Sequence, residues 1–277
     1  MRRVAVLMTV HNRKDKTLMC MSQIYNMTLP DDVQLEIYMT DDGCTDGTPE
    51  AVSEMYPEVH IVSGDGTLFW NKGMYLAWNE ASKTDPDYFL WLNDDTYLYA
   101  DALLKLLSVS EAKADKCIII GDTCDTETKS TITYGGKTRN GSYVFDSTNA
   151  SPCFYMNGNI VLIPDHVFRI VGYNDPYYSH ARGDYDYGLM AAKKGVDIYV
   201  APGFCGECDL HDCISTWKNP DKSLCERWQA FFKPTGANPF EFFYYRKKNY
   251  GVFPACCTFV SNFMHVLFPR FWDNDRR

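Results

Sequence analysis

The chain has 277 residues, of which 45% are hydrophobic and 23% are charged, so it is too apolar to be a disordered chain. Its length allows one large domain or two small ones, and is sufficient for a full hydrophobic core. The 27 Lys and Arg residues against 36 Asp and Glu residues give a net charge of −9, which is the wrong sign for a protein that holds nucleic acid by its phosphates. We therefore expect a folded globular protein with no nucleic-acid partner.

The eleven cysteines are spread from Cys20 to Cys257 and are too sparse for a disulfide scaffold. The apolar run near the N-terminus is too short for a secretory signal, and no run is long enough to predict a membrane-spanning helix. These features favour reduced thiols and a cytoplasmic location.

Short apolar runs alternate with helical patterns through the first part of the chain. The predicted strands are Val4–Thr9, Leu35–Met39, Val59–Val62 and Tyr88–Leu92, and the predicted helices are about Lys14–Met27, Pro49–Met55 and Lys72–Ser82. This alternation predicts βαβ units and a parallel sheet that is covered by helices on both faces. In such sheets ligands bind beyond the carboxyl ends of the strands. Polar clusters follow all four predicted strands, at 11–13, 41–42, 64–66 and 93–95.

The second part of the chain is less regular. Residues 122–150 are rich in Thr, Ser, Gly and Asn and predict loops or edge hairpins. Beyond them we predict strands at Ile160–Ile163 and Val196–Val200, and helices at Asp165–Val171 and Tyr185–Lys194.

Residues 241–277 are aromatic and carry six Lys or Arg residues against three acids. Two interpretations of this segment stay open. It is either a C-terminal helix that packs on the sheet, or a basic, aromatic surface that rests on an anionic membrane. Pro254 and Pro269 argue against one continuous helix.

Carboxylates follow the predicted strands at two places. Asp94 and Asp95 come directly after a buried strand, where they are suited to bind Mg²⁺ or Mn²⁺ together with substrate phosphates. Asp41 and Asp42 open a Gly-containing turn, where a carboxylate can accept hydrogen bonds from a ring N–H or from ribose hydroxyls. The alternative for both pairs is that the acids only cap turns.

A third pair of acids, Asp184 and Asp186, opens a predicted helix. An acid in a first helical turn is stabilised by the helix dipole, which is the purely structural interpretation. The functional interpretation is that Asp184 is a general base that takes a proton from an incoming hydroxyl. Because the dipole and local hydrogen bonds favour the ionised form, we expect Asp184 to have no unusual pKa.

Taken together, these motifs resemble glycosyltransferase family 2, enzymes of GT-A fold that use nucleotide-diphosphate sugars. The likeness covers most of residues 4–215. It is carried by "VAVLMTVHNR", "TDDGCTDGT", "LNDDTYL", "MNGNIVLIPDHVFRIVGYND" and "GDYDYGLMAAKKG", and "GDGTLFWNKGMYLAWNEA" is similar to the rhamnosyltransferase-like branch. Three residues depart from the family pattern: Asn93 replaces the first Asp of a D-x-D metal motif, Gly183 replaces a Glu and Met190 replaces an Arg.

The resemblance implies an α/β fold of GT-A type, with a Rossmann-like, mostly parallel central sheet flanked by helices and a smaller acceptor-side subregion. It implies one domain over residues 1–240, with a nucleotide-sugar half at about 1–100 and an acceptor half at about 101–240. Residues 241–277 then form a separate aromatic and basic segment.

The resemblance also assigns roles to single residues. Asp184 would be the catalytic base, and Asp95 and His211 would hold a divalent cation, Mn²⁺ or Mg²⁺, with Asp94 as the second choice. Lys72 would contact the diphosphate, and Trp70 would either line the donor site or pack under its loop. The residues expected around the donor are Thr9, His11, Asn12, Arg13, Asp41, Asp42, Gly66, Trp70, Lys72 and Asp94.

The implied reaction is an inverting transfer of a sugar from a UDP- or dTDP-sugar to a hydroxyl of a saccharide or lipid-linked acceptor. The expected setting is surface polysaccharide biosynthesis in the cytoplasm, with peripheral contact to the inner membrane face through the C-terminal segment.

Three rival interpretations remain. "CGECDLHDC" has the ligand types of a structural zinc site, although His211 and Cys213 are closer in sequence than such sites usually allow. A non-catalytic sugar- or nucleotide-binding protein on the same fold is favoured by Gly183 and Met190. A nucleotidyltransferase ranks lowest, because "TVHNRKDK" lacks the glycines of a phosphate-binding loop.

Overall fold

A mixed β-sheet organises the chain, and a computed structural model describes it over residues 1–210 and 215–270. The strands are β1 (Arg2–Val10), β2 (Val33–Asp41), β3 (His60–Ser63), β4 (Tyr88–Leu92), β5 (Tyr97–Leu98), β6 (Cys117–Cys124), β7 (Ile132–Tyr134), β8 (Ser151–Pro152), β9 (Ile160–Pro164) and β10 (Asp197–Glu207). The helices are α1 (Lys14–Tyr25), α2 (Thr48–Met55), α3 (Phe69–Ala81), α4 (Ala102–Ala112), α5 (Asp165–Val171), α6 (Gly183–Lys193), α7 (Leu224–Phe232), α8 (Pro239–Tyr250) and α9 (Val252–Leu267), with 3₁₀ turns at Ser82–Thr84 and Thr216–Lys218.

The sheet order is β3-β2-β1-β4-β9-β6-β10-β5, with β7 beside β6 and β8 beside β10. The strands β1 to β4 are parallel to one another, as predicted, so their carboxyl ends reach the same edge. In contrast, β9 runs antiparallel to both of its neighbours. It therefore brings its beginning, not its end, to that edge.

Both faces of the sheet are buried, which explains the continuous apolar runs. In β1, Val4, Val6 and Met8 pack into a cluster with residues of α1, α2 and α4. The alternate residues Ala5 and Leu7 pack into a second cluster with α3, α5 and α6. Because successive side chains of a strand point to opposite faces, a strand with helices on both sides must be apolar throughout. The α/β architecture predicted from the sequence is confirmed.

The predicted elements differ from the observed ones mainly beyond residue 100. The predicted strand at Val196–Val200 continues as β10 to Glu207, so Cys205 is a core residue of a strand. Residues 122–124 belong to the stretch predicted as loops or edge hairpins; they are the end of β6, and β7 forms an edge hairpin with it. The helix α4 and most of β6 correspond to no predicted element.

The C-terminal segment forms two helices, α8 and α9, that pack against each other. The break between them lies at Gly251, whose φ of 99° is in the left-handed region that favours glycine. Pro254 lies in the first turn of α9. Backbone N–H groups of a first turn have no partner within the helix, so a proline there costs no helical hydrogen bond. α8 contacts α6, and α9 contacts α7. Within residues 1–210 and 215–270, no helix has both the length and the apolar composition to span a bilayer.

Candidate active site

One cavity of about 580 Å³ opens at the edge where β1, β2 and β4 end. Elements that are distant in sequence meet there, because β9 and α6 bring the acceptor-side residues to the same edge. Eight of the predicted site residues line the cavity: Thr9, His11, Arg13, Asp42, Gly66, Trp70, Asp95 and Asp184.

Asp94 and Asp95 leave the end of β4 and are joined by one arginine. The guanidinium of Arg13 lies 3.0 Å from Oδ1 of Asp94 and donates a hydrogen bond of 2.6 Å to Oδ2 of Asp95. Asp94 is buried beneath the cavity wall, and it also accepts a hydrogen bond from the hydroxyl of Thr17. Burial raises the pKa of Asp94 to about 6, although Arg13 partly opposes this effect.

The predicted metal ligands are only partly within the described structure. Asp95 presents its carboxylate at the cavity wall, while His211 lies outside the described residues. Within the described ranges, no group of three or more His, Cys, Asp and Glu side chains is placed to hold a metal ion. The carboxylate of Asp95 has the chemistry for Mg²⁺ or Mn²⁺, which are commonly held by one or two carboxylates together with substrate phosphates, and a cation bound there would replace its ion pair with Arg13.

The proposed zinc cluster is also only partly described, since His211 and Cys213 lie outside the described residues. Both remaining cysteines are buried. Cys205 packs in the core, and the sulfur of Cys208 accepts a hydrogen bond from Asn159. Among the ten cysteines of the described ranges, all are free thiols.

Asp42 holds the loop around Gly66, which lines the side of the cavity where the donor is expected. Its carboxylate accepts hydrogen bonds from the backbone N–H groups of Gly66 (2.9 Å), Leu68 (3.1 Å) and Phe69 (2.8 Å). Its backbone carbonyl accepts a hydrogen bond of 2.6 Å from Nδ1 of His11. A carboxylate with three backbone donors is fixed in one position, so Asp42 determines where the Gly66 loop lies.

Four predicted donor residues do not line the cavity. Asp94 lies beneath it. Asp41 accepts a hydrogen bond of 2.8 Å from the N–H of Cys44, and Asn12 accepts one of 2.7 Å from the N–H of Thr45, so both stabilise the turn after β2. Lys72 lies on α3, where its charge acts on Asp65.

Trp70 both lines the cavity and packs under its loop, so the two interpretations of this residue are compatible. Its indole N–H donates a hydrogen bond of 2.7 Å to Asn93, whose amide donates one of 2.9 Å to Asn159. The ring lies against Gly158, where a Cβ would come within 2.5 Å of it. Asn93, which departs from the family motif, therefore connects the donor side to the start of β9.

Asp184 lies in the first turn of α6, as predicted, and faces the cavity. Its carboxylate accepts hydrogen bonds from the backbone N–H of Gly158 (3.1 Å) and of Tyr185 (2.8 Å). Our expectation of an ordinary pKa is wrong. Burial raises the pKa of Asp184, and these hydrogen bonds and the charge of Arg182 offset the effect only in part.

Several cavity residues were not predicted. Arg182 has a φ of 77°, a strained conformation for a residue other than glycine, and its guanidinium lies 4.5 Å from the ring centre of Phe242. The position of Arg182 two residues before Asp184 was the available signal. The asparagines before β9 gave no signal in the sequence, because their place at this edge depends on the antiparallel direction of that strand. The cavity residues that were not predicted from the sequence are Val10, Phe69, Asn93, Tyr134, Asn157, Gly158, Asn159, His180, Ala181, Arg182, Tyr185, Cys208 and Thr235.

Residues 5–159, more than half of the chain, match the sequence profile of glycosyl transferase family 2. The chain belongs to this family. No curated protein matches the chain.

Solved glycosyltransferase structures share the fold of this family 2 member at low sequence identity. TarS of S. aureus is 12% identical, with a TM-score of 0.61, over 99% of this chain and 54% of that one, so the chain spans about half the length of TarS. The mannosyltransferase PcManGT from Pyrobaculum calidifontis, solved with GDP-Man and Mn²⁺, is 17% identical, with a TM-score of 0.57, over 98% and 83%. GalNAc-T7, solved with UDP, GalNAc and Mn²⁺, is 13% identical, with a TM-score of 0.58, over 90% and 50%. The predicted GT-A fold is confirmed.

The structure explains one departure from the family pattern. Gly183 replaces a Glu, and a Cβ at this position would lie 1.8 Å from Oδ1 of Asn71. Asn71 is fully buried and donates hydrogen bonds to the carbonyls of Asp175 and Tyr178. In this family member, the Asn71 side chain fills the space that a larger residue at 183 would need.

Proposed function

We propose that the protein transfers a sugar from a nucleotide-diphosphate sugar to an acceptor hydroxyl, with inversion at the anomeric carbon. One observation carries the proposal: a single cavity is lined by Asp42 and the Gly66 loop that it holds, by Asp95 and by Asp184. The donor side and the base therefore share one space. The nucleotides and sugars bound in the neighbouring structures support a nucleotide-sugar donor.

In the proposed reaction, Asp184 takes the proton of the acceptor hydroxyl while that oxygen attacks the anomeric carbon. The new C–O bond forms as the bond between the anomeric carbon and the diphosphate oxygen breaks. The nucleoside diphosphate leaves with the bonding electrons, and the attack from the opposite face inverts the configuration. The raised pKa of Asp184 suits this role, because a more basic carboxylate accepts a proton more readily.

We propose that Asp95 holds a divalent cation, with Asp94 as a second candidate and with His211, which lies outside the described residues, as a further ligand. When bound, Mn²⁺ or Mg²⁺ would neutralise the charge that develops on the leaving diphosphate. Mn²⁺ in two neighbouring structures supports this proposal. Excess EDTA should abolish transfer, and added Mn²⁺ or Mg²⁺ should restore it. Full activity in EDTA would remove the cation from the account.

We propose a UDP- or dTDP-sugar of hexosyl or rhamnosyl type as donor and a saccharide or lipid-linked acceptor, in surface polysaccharide biosynthesis. The direct test is nucleotide release from a panel of UDP-, dTDP- and GDP-sugars, with and without acceptor. An enzyme releases nucleotide from at least one donor. The rival function, a non-catalytic binding protein, predicts heat of binding without release.

We also propose that the C-terminal helices contact an anionic membrane from the cytoplasmic side. The helix α9 carries no Asp, Glu, Lys or Arg, and its exposed face includes Phe253, Val260 and Met264. The basic residues Arg246 and Lys247 precede α9, so apolar and cationic groups are close in sequence, as in interfacial helices.

Co-sedimentation with vesicles tests the membrane contact. The wild type should bind phosphatidylcholine vesicles that contain phosphatidylglycerol, and the double variant Phe253→Ser/Val260→Ser should bind them several-fold less. Met55→Ser, which removes an apolar side chain on α2 that is 57% exposed against 62% for Val260, is the control and should bind as the wild type does. Equal sedimentation of all three proteins would contradict the proposal.

A further inference from the structure

Lys248 of α8 connects two acidic residues of the acceptor side. Its Nζ lies 2.6 Å from Oδ2 of Asp186 and 2.7 Å from Oδ2 of Asp175. The same nitrogen lies 3.3 Å from the sulfur of Met190. Asp186 is fully buried, and its other oxygen accepts a hydrogen bond of 2.7 Å from Asn249, the next residue of α8.

The two acids mark the ends of one loop. Asp175 lies at its start, Asp186 lies in the first turn of α6 at its end, and residues 180–182 and Asp184 between them line the cavity. Lys248 therefore closes this loop from outside. From α3, Asn71 donates hydrogen bonds of 2.8 Å to the carbonyls of Asp175 and Tyr178, so the loop is held by α3 as well as by α8.

The buried carboxylate of Asp186 needs a cation, because an ion removed from water is stable only when it is paired and hydrogen-bonded. The first two turns of α6, from Gly183 to Met190, contain no Lys or Arg. Met190 lies four residues after Asp186, on the same face of the helix, where a cation on α6 itself would reach it. Lys248 supplies the charge from α8 instead.

We propose that Lys248 is a positioning residue for transfer: it fixes the first turn of α6 and the preceding loop so that the carboxylate of Asp184 stays at the cavity wall. This inference rests on the proposed role of Asp184 as the base. It makes α8 a part of the active-site architecture. The pKa of Lys248 is consistent with a permanent cation: burial lowers it, but the carboxylates of Asp175 and Asp186 together raise it above the usual value.

The test uses the full chain, and begins with wild-type transfer from the donor that the panel identifies. Lys248→Met should lower kcat by about tenfold to hundredfold, since small displacements of a reacting group have effects of this size. The donor KM should stay within twofold, because the side chain of Lys248 bonds Asp175 and Asp186, whereas the Gly66 loop is held by Asp42. Lys248→Arg should retain most of the activity.

Two further variants separate positioning from general stability. Met190→Arg/Lys248→Met places the cation on α6, and should regain most of the kcat that Lys248→Met loses. Lys193→Met is the matched control: Nζ of Lys193 bonds the carbonyl of Lys248 and the side chain of Asn249, so it also joins α6 to α8 but contacts neither acid. Its kcat should stay within twofold of the wild type.

The outcomes distinguish the two proposals. A wild type that releases no nucleotide from any donor overturns the proposed function and this inference with it. If the wild type is active, a folded Lys248→Met with unchanged kcat overturns the inference alone. The inference is also overturned if Lys248→Met changes the donor KM and not kcat, or if adding Met190→Arg to that variant does not restore the lost kcat. If Lys248→Met fails to fold, the double variant Met190→Arg/Lys248→Met is measured in its place. A kcat like that of the wild type supports the inference, and a double variant that folds but is inactive overturns it.

Discussion

The backbone N–H of Gly158 donates a hydrogen bond of 3.1 Å to the carboxylate of Asp184. This bond joins the turn before β9 to the first turn of α6, two elements that meet only because β9 runs antiparallel to β4. It favours the ionised carboxylate, yet burial still raises the pKa of Asp184. The proposed base is thus fixed in position by this bond, and burial makes it more basic than an exposed aspartate.

The pH dependence of transfer follows from this pKa. A base acts in its ionised form, so kcat should fall as the pH decreases through the pKa of Asp184. Because that pKa is raised, the acidic limb should lie above 3.8, the ordinary value for an aspartate. The measurement is kcat at saturating donor and acceptor between pH 4 and pH 9. A kcat that does not fall towards the acidic end of this range, with the protein still folded, would contradict the prediction.

The adjacent acids Asp41 and Asp42 should behave differently. Asp42→Asn replaces an acceptor of three backbone N–H groups by a side chain that has one acceptor oxygen, so it should cost about 1–3 kcal/mol of stability. It should also raise the donor KM by about tenfold, because the Gly66 loop is no longer fixed. Asp41→Asn is the control, since within the described residues the Asp41 carboxylate accepts from one backbone N–H, that of Cys44, and not from the Gly66 loop. A larger KM effect for Asp41→Asn would show that Asp41 faces the donor.

The buried carboxyl group of Asp122 leads to a prediction about stability rather than catalysis. It is fully buried at the end of β6, and burial raises its pKa to about 7. Below the unfolded-state pKa the carboxyl is neutral in both states. As the pH rises towards 7 the unfolded state ionises first, so the folded state loses up to about 4 kcal/mol.

Asp122→Asn removes this ionisation. The variant should be more stable than the wild type at pH 8 by about 1–3 kcal/mol, because the buried amide that replaces the carboxylate still costs some free energy. At pH 5 the difference should be small. Urea unfolding at the two pH values measures both. A variant that is less stable than the wild type at pH 8 would contradict the role assigned to the buried charge.

The sequence predicted the donor side of the fold well, because its information is local. Each parallel strand of β1 to β4 is a short apolar run, and its polar end falls at the same edge as the others. Asp42, Asp95 and Asp184 could therefore be placed near the cavity from the pattern and the family likeness. Asn12 and Lys72 could not be excluded in the same way, since their neighbours in sequence do line it.

The acceptor side was harder to predict for physical reasons. The direction of β9 depends on which strands it pairs with, and its sequence carries no sign of that choice. The pairing of Lys248 with Asp186 joins residues 62 positions apart, and no periodic pattern connects them. The pKa of Asp184 depends on burial by several elements, so local arguments about the helix dipole gave the wrong expectation.

The most direct test of the account is transfer by Asp184→Asn. The variant keeps the shape of the side chain but cannot accept the proton, so it should fold, bind the donor with wild-type affinity and lose kcat by about a hundredfold or more. Calorimetric donor binding and nucleotide release, measured on the same preparation, give both quantities. Wild-type donor affinity with kcat reduced by this amount is the predicted result. Near-native turnover in the folded variant would contradict the assignment of Asp184 as the base, and with it the proposed mechanism.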